Sequence, residues 1–112
     1  MKVFVIDFSS SNSIGERLQD KMQLFIEKLD GAHAYKMVGE IMPDLILVNY
    51  KTKPSHGRQT ANSIRARKKT SHIPILFINV ESNETEKIEQ YGQTITMNDL
   101  DKYITSDKYT SP

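Results

Sequence analysis

The stretch Pro43-Asp44-Leu45-Ile46-Leu47-Val48-Asn49 (PDLILVN) is a proline and an acid, then four consecutive apolar residues closed by an amide. The apolar residues do not alternate with polar ones, so a strand here has both faces covered. Pro43 cannot continue a helix, which places a helix stop directly upstream. A short strand buried on both faces belongs to a sheet enclosed between helices, the arrangement of α/β proteins.

The same pattern recurs on both sides. ILFINV (75–80) follows Pro74, and VFVI (3–6) opens the chain. After the first run come Ser9, Ser10, Ser11, Asn12 and Ser13, a polar loop in which Ser13 and Glu16 have capping-box spacing. Ile14, Leu18 and Met22 then recur at helical spacing. Phe25 and Leu29 would extend that stripe, which permits one helix over 13–29. The other reading ends the helix near Met22 and takes LFIEK (24–28) as a strand. It turns at Asp30-Gly31 and starts a helix over 32–42 with Ala34, Val38 and Ile41 on one face. We take the second reading, because the first leaves 32–42 without a role. Downstream, 50–57 reads as loop and 58–69 as a helix with Ala61 and Ile64 inward. Residues 81–91 read as a short polar helix, anchored by Ile88 and Tyr91 and closed by Gly92. A weak strand at 94–97 follows, then a final helix capped by Asn98 and carrying Leu100, Tyr103 and Ile104. The pattern predicts five β-α units in one doubly wound, three-layer domain over residues 1–104. Residues 105–112 (TSDKYTSP) read as a frayed tail or linker stub.

Composition narrows the chemistry. At 112 residues and 12.8 kDa the chain suits one domain, and 38% hydrophobic with 26% charged residues is globular rather than disordered. Fifteen Lys and Arg against 14 Asp and Glu leave a net charge of +1, which argues against a general polyanion binder. The absence of cysteine removes disulfide scaffolds, thiol nucleophiles and Cys-ligated zinc. His33, His56 and His72 are not spaced as a helical metal site, and His56 and His72 read as surface residues. MKVFVIDF is too short an apolar run for a signal peptide, and no stretch nears the roughly 18 apolar residues of a membrane span. The expected location is cytoplasmic, without membrane contact. No Walker loop, GxGxxG, GxSxG or HExxH occurs.

PDLILVN resembles the PDLILLD segment of response-regulator receiver domains, and the resemblance extends over nearly the full length. Gly57, eight residues after Asn49, falls where receivers carry the glycine of their MPxxDG loop. Ile64-Arg65 falls where they carry Ile-Arg in the third helix, and Pro74 opens the fourth strand as theirs does. Asp30-Gly31 before the second helix also fits. The resemblance implies a flavodoxin-like, five-stranded parallel sheet in the order 2-1-3-4-5, with strands near 2–7, 23–28, 44–49, 74–79 and 93–97. In that family two acids after the first strand hold Mg²⁺, and an Asp after the third accepts a phosphoryl group. A Thr or Ser after the fourth and a Lys after the fifth bind the phosphoryl oxygens.

This sequence departs from that pattern. The acid pair is Asp7-Phe8, the acceptor position is Asn49, and the hydroxyl position is Asn79. Thr96-Met97-Asn98 replaces the Lys-Pro pair, and Thr52-Lys53-Pro54 stands in the loop after Asn49. An amide has no anionic oxygen with which to form an acyl phosphate. Asp7, Phe8, Asn49 and Asn79 therefore form a degenerate phosphorylation pocket. Asp7 reads as a loop-capping carboxylate, and Asn49 and Asn79 as amides bonded to each other or to loop backbone. No catalytic residue, metal site or cofactor is expected.

Charge is unevenly distributed. Between residues 50 and 80 lie seven Lys or Arg (51, 53, 58, 65, 67, 68 and 69) and no acid. From Glu81 onward lie seven acids and three Lys. Arg65, Arg67, Lys68 and Lys69, at the end of the third helix, form a candidate partner-binding surface of exposed cations. No aromatic residue interleaves them, so stacking on single-stranded nucleic acid is disfavoured. The expected function is a non-phosphorylated, receiver-like protein-interaction module in bacterial signalling. Its partner would be another signalling protein or a fused output domain. The alternatives are a phosphoacceptor using a displaced acid, or a nucleic-acid-binding protein acting through the basic third helix.

Overall fold

The computed structural model describes residues 1–11, 13–18 and 23–105. Five strands are present: β1 (Lys2–Ile6), β2 (Gln23–Glu27), β3 (Leu45–Asn49), β4 (Ile75–Ile78) and β5 (Gln93–Ile95). All pair in parallel, in the order β2-β1-β3-β4-β5, as expected. The connecting helices are α1 (Ser13–Leu18), α2 (Gly31–Ile41), α3 (Pro54–Ala66), α4 (Thr85–Ile88) and α5 (Met97–Thr105), with a 3₁₀ turn at Ser82–Glu84 before α4.

Strand alternation divides the core into two layers. Phe4, Ile6, Ile46, Val48, Ile75 and Phe77 face α2, α3 and α4, where they meet Ala34, Val38, Ala61, Ile64 and Ile88. Val3, Val5, Leu45, Leu47, Leu76 and Ile78 face the opposite side and meet Ile14, Leu18 and Leu100 of α1 and α5. The continuous apolar runs therefore have cover on both faces. The strand reading of 24–28 holds: Lys2 to Ile6 pair with Gln23 to Glu27 in register. Leu29, which a single long helix would have placed on its buried stripe, is 88% exposed.

Four local expectations require correction. The third helix ends at Ala66 rather than at residue 69, which leaves Arg67, Lys68 and Lys69 in the turn beyond it. Residues 54–57 are the first turn of α3 rather than loop, with Pro54 at the favoured first helical position after Lys53 in left-handed backbone (φ 50°). Gly57 belongs inside this helix because a Cβ there would approach Val48 Cγ1 to 3.0 Å, so its absence lets α3 lie close on β3. Residues 81–91 hold a 3₁₀ turn and only four α-helical residues. The last helix is capped by Thr96, not Asn98: Thr96 Oγ1 accepts from Asp99 N at 3.1 Å. Met22 and the 106–112 portion of the tail lie outside the described residues. No helix among the described residues is long and apolar enough to cross a membrane.

Candidate functional site

The parallel sheet brings the ends of β1, β3 and β4 to one edge, and with them Asp7, Asn49 and Asn79. Asn49 is the last residue of β3, with Asp7 one residue past β1 and Asn79 one past β4. Asp7 and Asn49 are buried, and Asn79 is exposed. Their side chains form a directed chain. Asn79 Nδ2 donates to Asn49 Oδ1 at 3.1 Å, and Asn49 Nδ2 donates to Asp7 Oδ1 at 3.1 Å. Ser9 closes the other end, donating from its backbone N at 3.0 Å and from Oγ at 2.6 Å to the same Asp7 oxygen. Asn49 Oδ1 also accepts from Lys51 N at 3.2 Å. Asn79 has φ 63°, a left-handed conformation that Asn tolerates better than most residues.

Phe8 turns away from this chain. It packs against the α2–α3 side of the core and stands edge-on to His56, with ring centroids 6.4 Å apart. The pocket thus contains one carboxylate, whose Oδ1 is already engaged by Ser9 and Asn49, and position 8, where a second acid would be needed, is a phenylalanine packed elsewhere. These residues do not fit Mg²⁺, which requires near-octahedral oxygen ligation. Among the described residues no group of three or more His, Asp or Glu gathers as a metal site. A displaced acid would have to come from the strand ends, and neither Asp44 before β3 nor Glu81 after β4 joins the pocket. Asp44 lies at the opposite edge of the sheet, where its Oδ2 accepts from Lys2 N at 2.8 Å. Glu81 is exposed and precedes the 3₁₀ turn.

A second network lies beside the pocket, and the sequence reading missed it. Tyr50 OH donates to Glu84 Oε1 at 3.1 Å and accepts from Arg58 Nη1 at 2.6 Å. Lys87 Nζ pairs with Glu84 Oε2 at 2.8 Å. Burial pushes the Tyr50 hydroxyl above its ordinary pKa, and the Glu84 bond adds to this against the opposing Arg58. Lys87 holds the Glu84 carboxyl below the ordinary glutamate value. Strand parity was the available signal: Tyr50 continues the Ile46, Val48 series and must face α3. At the end of β2, Glu27 accepts from the N–H groups of Leu29 and Asp30 at 3.0 and 3.1 Å and from His33 Nδ1.

The basic cluster does not form one exposed surface. Arg65, in the last turn of α3, donates to the carbonyls of Tyr91 (2.8 Å), Ser71 (2.7 Å) and Ile73 (2.6 Å). Arg67, just past the helix, donates to Tyr35 O at 2.9 Å and to Thr70 Oγ1 at 3.0 Å, and lies 3.8 Å over the Tyr35 ring. Only Lys68 and Lys69, in the turn after α3, are exposed.

Solved structures share this architecture. The N-terminal domain of a response regulator receiver protein from Methanoculleus marisnigri superposes with a TM-score of 0.69 at 18% identity, over 99% of this chain and 97% of that one. The chemotaxis protein CheY4 of Vibrio cholerae gives 0.73 at 18% identity, over 92% and 94%. The chain has the receiver fold. A response regulator from Desulfuromonas acetoxidans shares this fold with a TM-score of 0.70 at 17% identity, over 92% of both chains. No family model matches the sequence, and no curated protein is significantly similar to it.

Proposed function

We propose that this receiver-fold chain is a non-phosphorylated protein-interaction module of bacterial signal transduction, which binds partners and catalyses nothing. One observation carries the reading. The amide of Asn49 donates to Asp7 and accepts from Asn79, so the pocket's own side chains make the hydrogen bonds that join its three strands. In the receivers this chain resembles, a phosphoryl group on the third strand is contacted by a hydroxyl after the fourth. Here the strand ends are joined directly, and the surface they support is held in one arrangement without a phosphoryl donor. Partners of this kind are another signalling protein or a fused output domain. The location consistent with this role is cytoplasmic.

The test is incubation with acetyl phosphate and Mg²⁺, read by intact mass. Wild type and Asn49→Asp are both expected to remain unlabelled. The variant regains a carboxylate, but Phe8, Asn79 and Thr96-Met97-Asn98 leave the metal and phosphoryl oxygens without ligands. Stoichiometric labelling of wild type would overturn the reading in favour of a displaced acid. Labelling of Asn49→Asp would show that the rest of the pocket is still competent.

A further inference from the structure

On one side of the sheet, exposed cations in the segments flanking α3 lie beside exposed acids on and around the 3₁₀–α4 segment. α3 and the 3₁₀–α4 segment lie side by side on this layer, since Ile64 and Ile88 share one core cluster. Arg58 pairs with Glu84 at 3.8 Å at one end, and Arg65 bonds Tyr91 O at the other. Both segments are crossovers between parallel strands, so both run from the edge bearing Asn49 to the opposite edge. At the start and end of the α3 stripe stand Lys51 with Lys53 and Lys68 with Lys69. Along the neighbouring stripe stand Glu81 at the start and Glu86 and Glu89 toward the end. All seven are exposed and make no ion pair among the described residues. Their neighbours are different: Arg58 and Arg65 are used internally, and Glu84 is taken by Lys87 and Arg58.

Such a face is complementary to itself. A two-fold axis parallel to α3 lays the α3 stripe of one copy over the α4 stripe of the other, with the same ends together. Lys51 and Lys53 then meet Glu81, and Lys68 and Lys69 meet Glu86 and Glu89, each contact occurring twice. A net charge of +1 leaves almost no overall repulsion between copies. We propose that a second copy of this chain docks on the α3–α4 face through these charges, forming a closed symmetric dimer. The partner is assigned by charge complementarity, since the same surface carries both the cations and the acids that would neutralise them. Exposed ion pairs contribute little individually and are screened over about 10 Å at roughly 0.1 M salt. The dimer is therefore weak and salt-sensitive. It extends the reading of an interaction module by naming a partner, and it does not depend on phosphoryl chemistry.

Sedimentation velocity on the full chain at high micromolar concentration tests it. Wild type is expected to dimerise at low salt and to dissociate as salt is added. Lys68→Glu with Lys69→Glu, and separately Glu86→Lys with Glu89→Lys, are each expected to be monomeric while retaining the wild-type circular dichroism spectrum. Mixing the two variants, or combining all four substitutions in one chain, restores opposite charges across both symmetric contacts and is expected to restore the dimer. A monomeric wild type at low salt overturns the proposal. So does a dimer indifferent to salt, or a failure of the charge swap to rescue association. A DNA duplex that shifts monomeric wild type but not Lys68→Glu with Lys69→Glu would assign the basic stripe to nucleic acid instead. The readout is mass in solution, so this failure is distinct from any result with acetyl phosphate.

Discussion

Exchanging a carboxylate oxygen for an NH₂ at position 49 changes what its neighbours can do. Two carboxylates at this separation would repel unless a cation lay between them. The Asn49 amide instead donates to Asp7 and leaves its own oxygen for Asn79 and Lys51 N. The identities of Asp7, Phe8, Asn49 and Asn79 were legible because each terminates or follows an apolar run. The direction of the hydrogen-bond chain was not, since an amide can be turned either way until its neighbours are placed. Glu27 was missed for a related reason. In the sequence it is one acid within LFIEK, and only the turn after β2 brings two backbone N–H groups and His33 to it. Burial works to raise its pKa, but these donors outweigh burial and hold the carboxyl below the ordinary value of 4.5. Its folded pKa is thus below its unfolded one. The stabilisation is complete above the unfolded value and is lost as pH falls from about 4.5 through the folded value. Glu27→Gln is expected to cost on the order of 1 kcal/mol near neutral pH. Urea titrations across pH check this: the gap between wild type and variant should be constant above pH 5 and close in the acid range (approximate bounds from linkage). A gap that persists unchanged in acid would show that the carboxylate charge contributes nothing.

At the scale of elements, the strands were easier to read than the helices. A strand buried on both faces carries its signature in consecutive residues, whereas a helix end depends on which backbone groups find partners. The Pro54 helix start was obscured by Gly57, which reads as a turn residue in sequence but serves the close packing of α3 on β3. The segment after β4 has only Ile88 buried, too little apolar surface to sustain the longer helix expected. The end of α3 shows the same limit, because a basic run in sequence gives no indication of which cations are needed internally. Arg65 holds three carbonyls, one from the turn after α4 and two from the turn leading into β4. Arg65→Ala is expected to cost about 1.5–3 kcal/mol, the range for hydrogen bonds to charged groups, while Lys68→Ala should stay within about 0.5 kcal/mol of wild type. Arg65→Lys should recover little, since a single ammonium cannot reproduce the planar fork. Chemical denaturation of the three variants decides it, and equal stability of Arg65→Ala and Lys68→Ala would remove Arg65 from the fold's support.

For the whole molecule, burial is graded outward from the middle of the sheet. β3 and β4 are buried at every position and β1 at all but its first, whereas β2 is exposed at Gln23 and Ile26, and β5 at Gln93 and Thr94. The central strands also pair on both sides, and each edge strand pairs on one side only. Local opening costs most where apolar burial and hydrogen bonding coincide, and least where both are thin. This gradient was written in the sequence as three uninterrupted apolar runs and two weaker ones, which is why the sheet was legible while its rim was not. The Asp7–Asn49–Asn79 pocket lies at the boundary of the two regimes. Asp7 and Asn49 extend protected strands, while Asn79 is exposed and opens the thinly packed 3₁₀–α4 segment. Amide hydrogen exchange is therefore expected to be slowest in β1, β3 and β4, intermediate in β2, and fastest in β5 and residues 82–88. Removing the Asn79 side chain as Asn79→Gly, which adopts the left-handed backbone (φ 63°) without strain, should accelerate exchange across residues 80–88 and leave β1 and β3 unchanged. That result follows if the amide chain is what fastens the rim to the core. Uniform acceleration throughout the sheet would mean that Asn79 contributes to global stability instead, and no acceleration would mean that the Tyr50–Glu84 bond alone holds the segment.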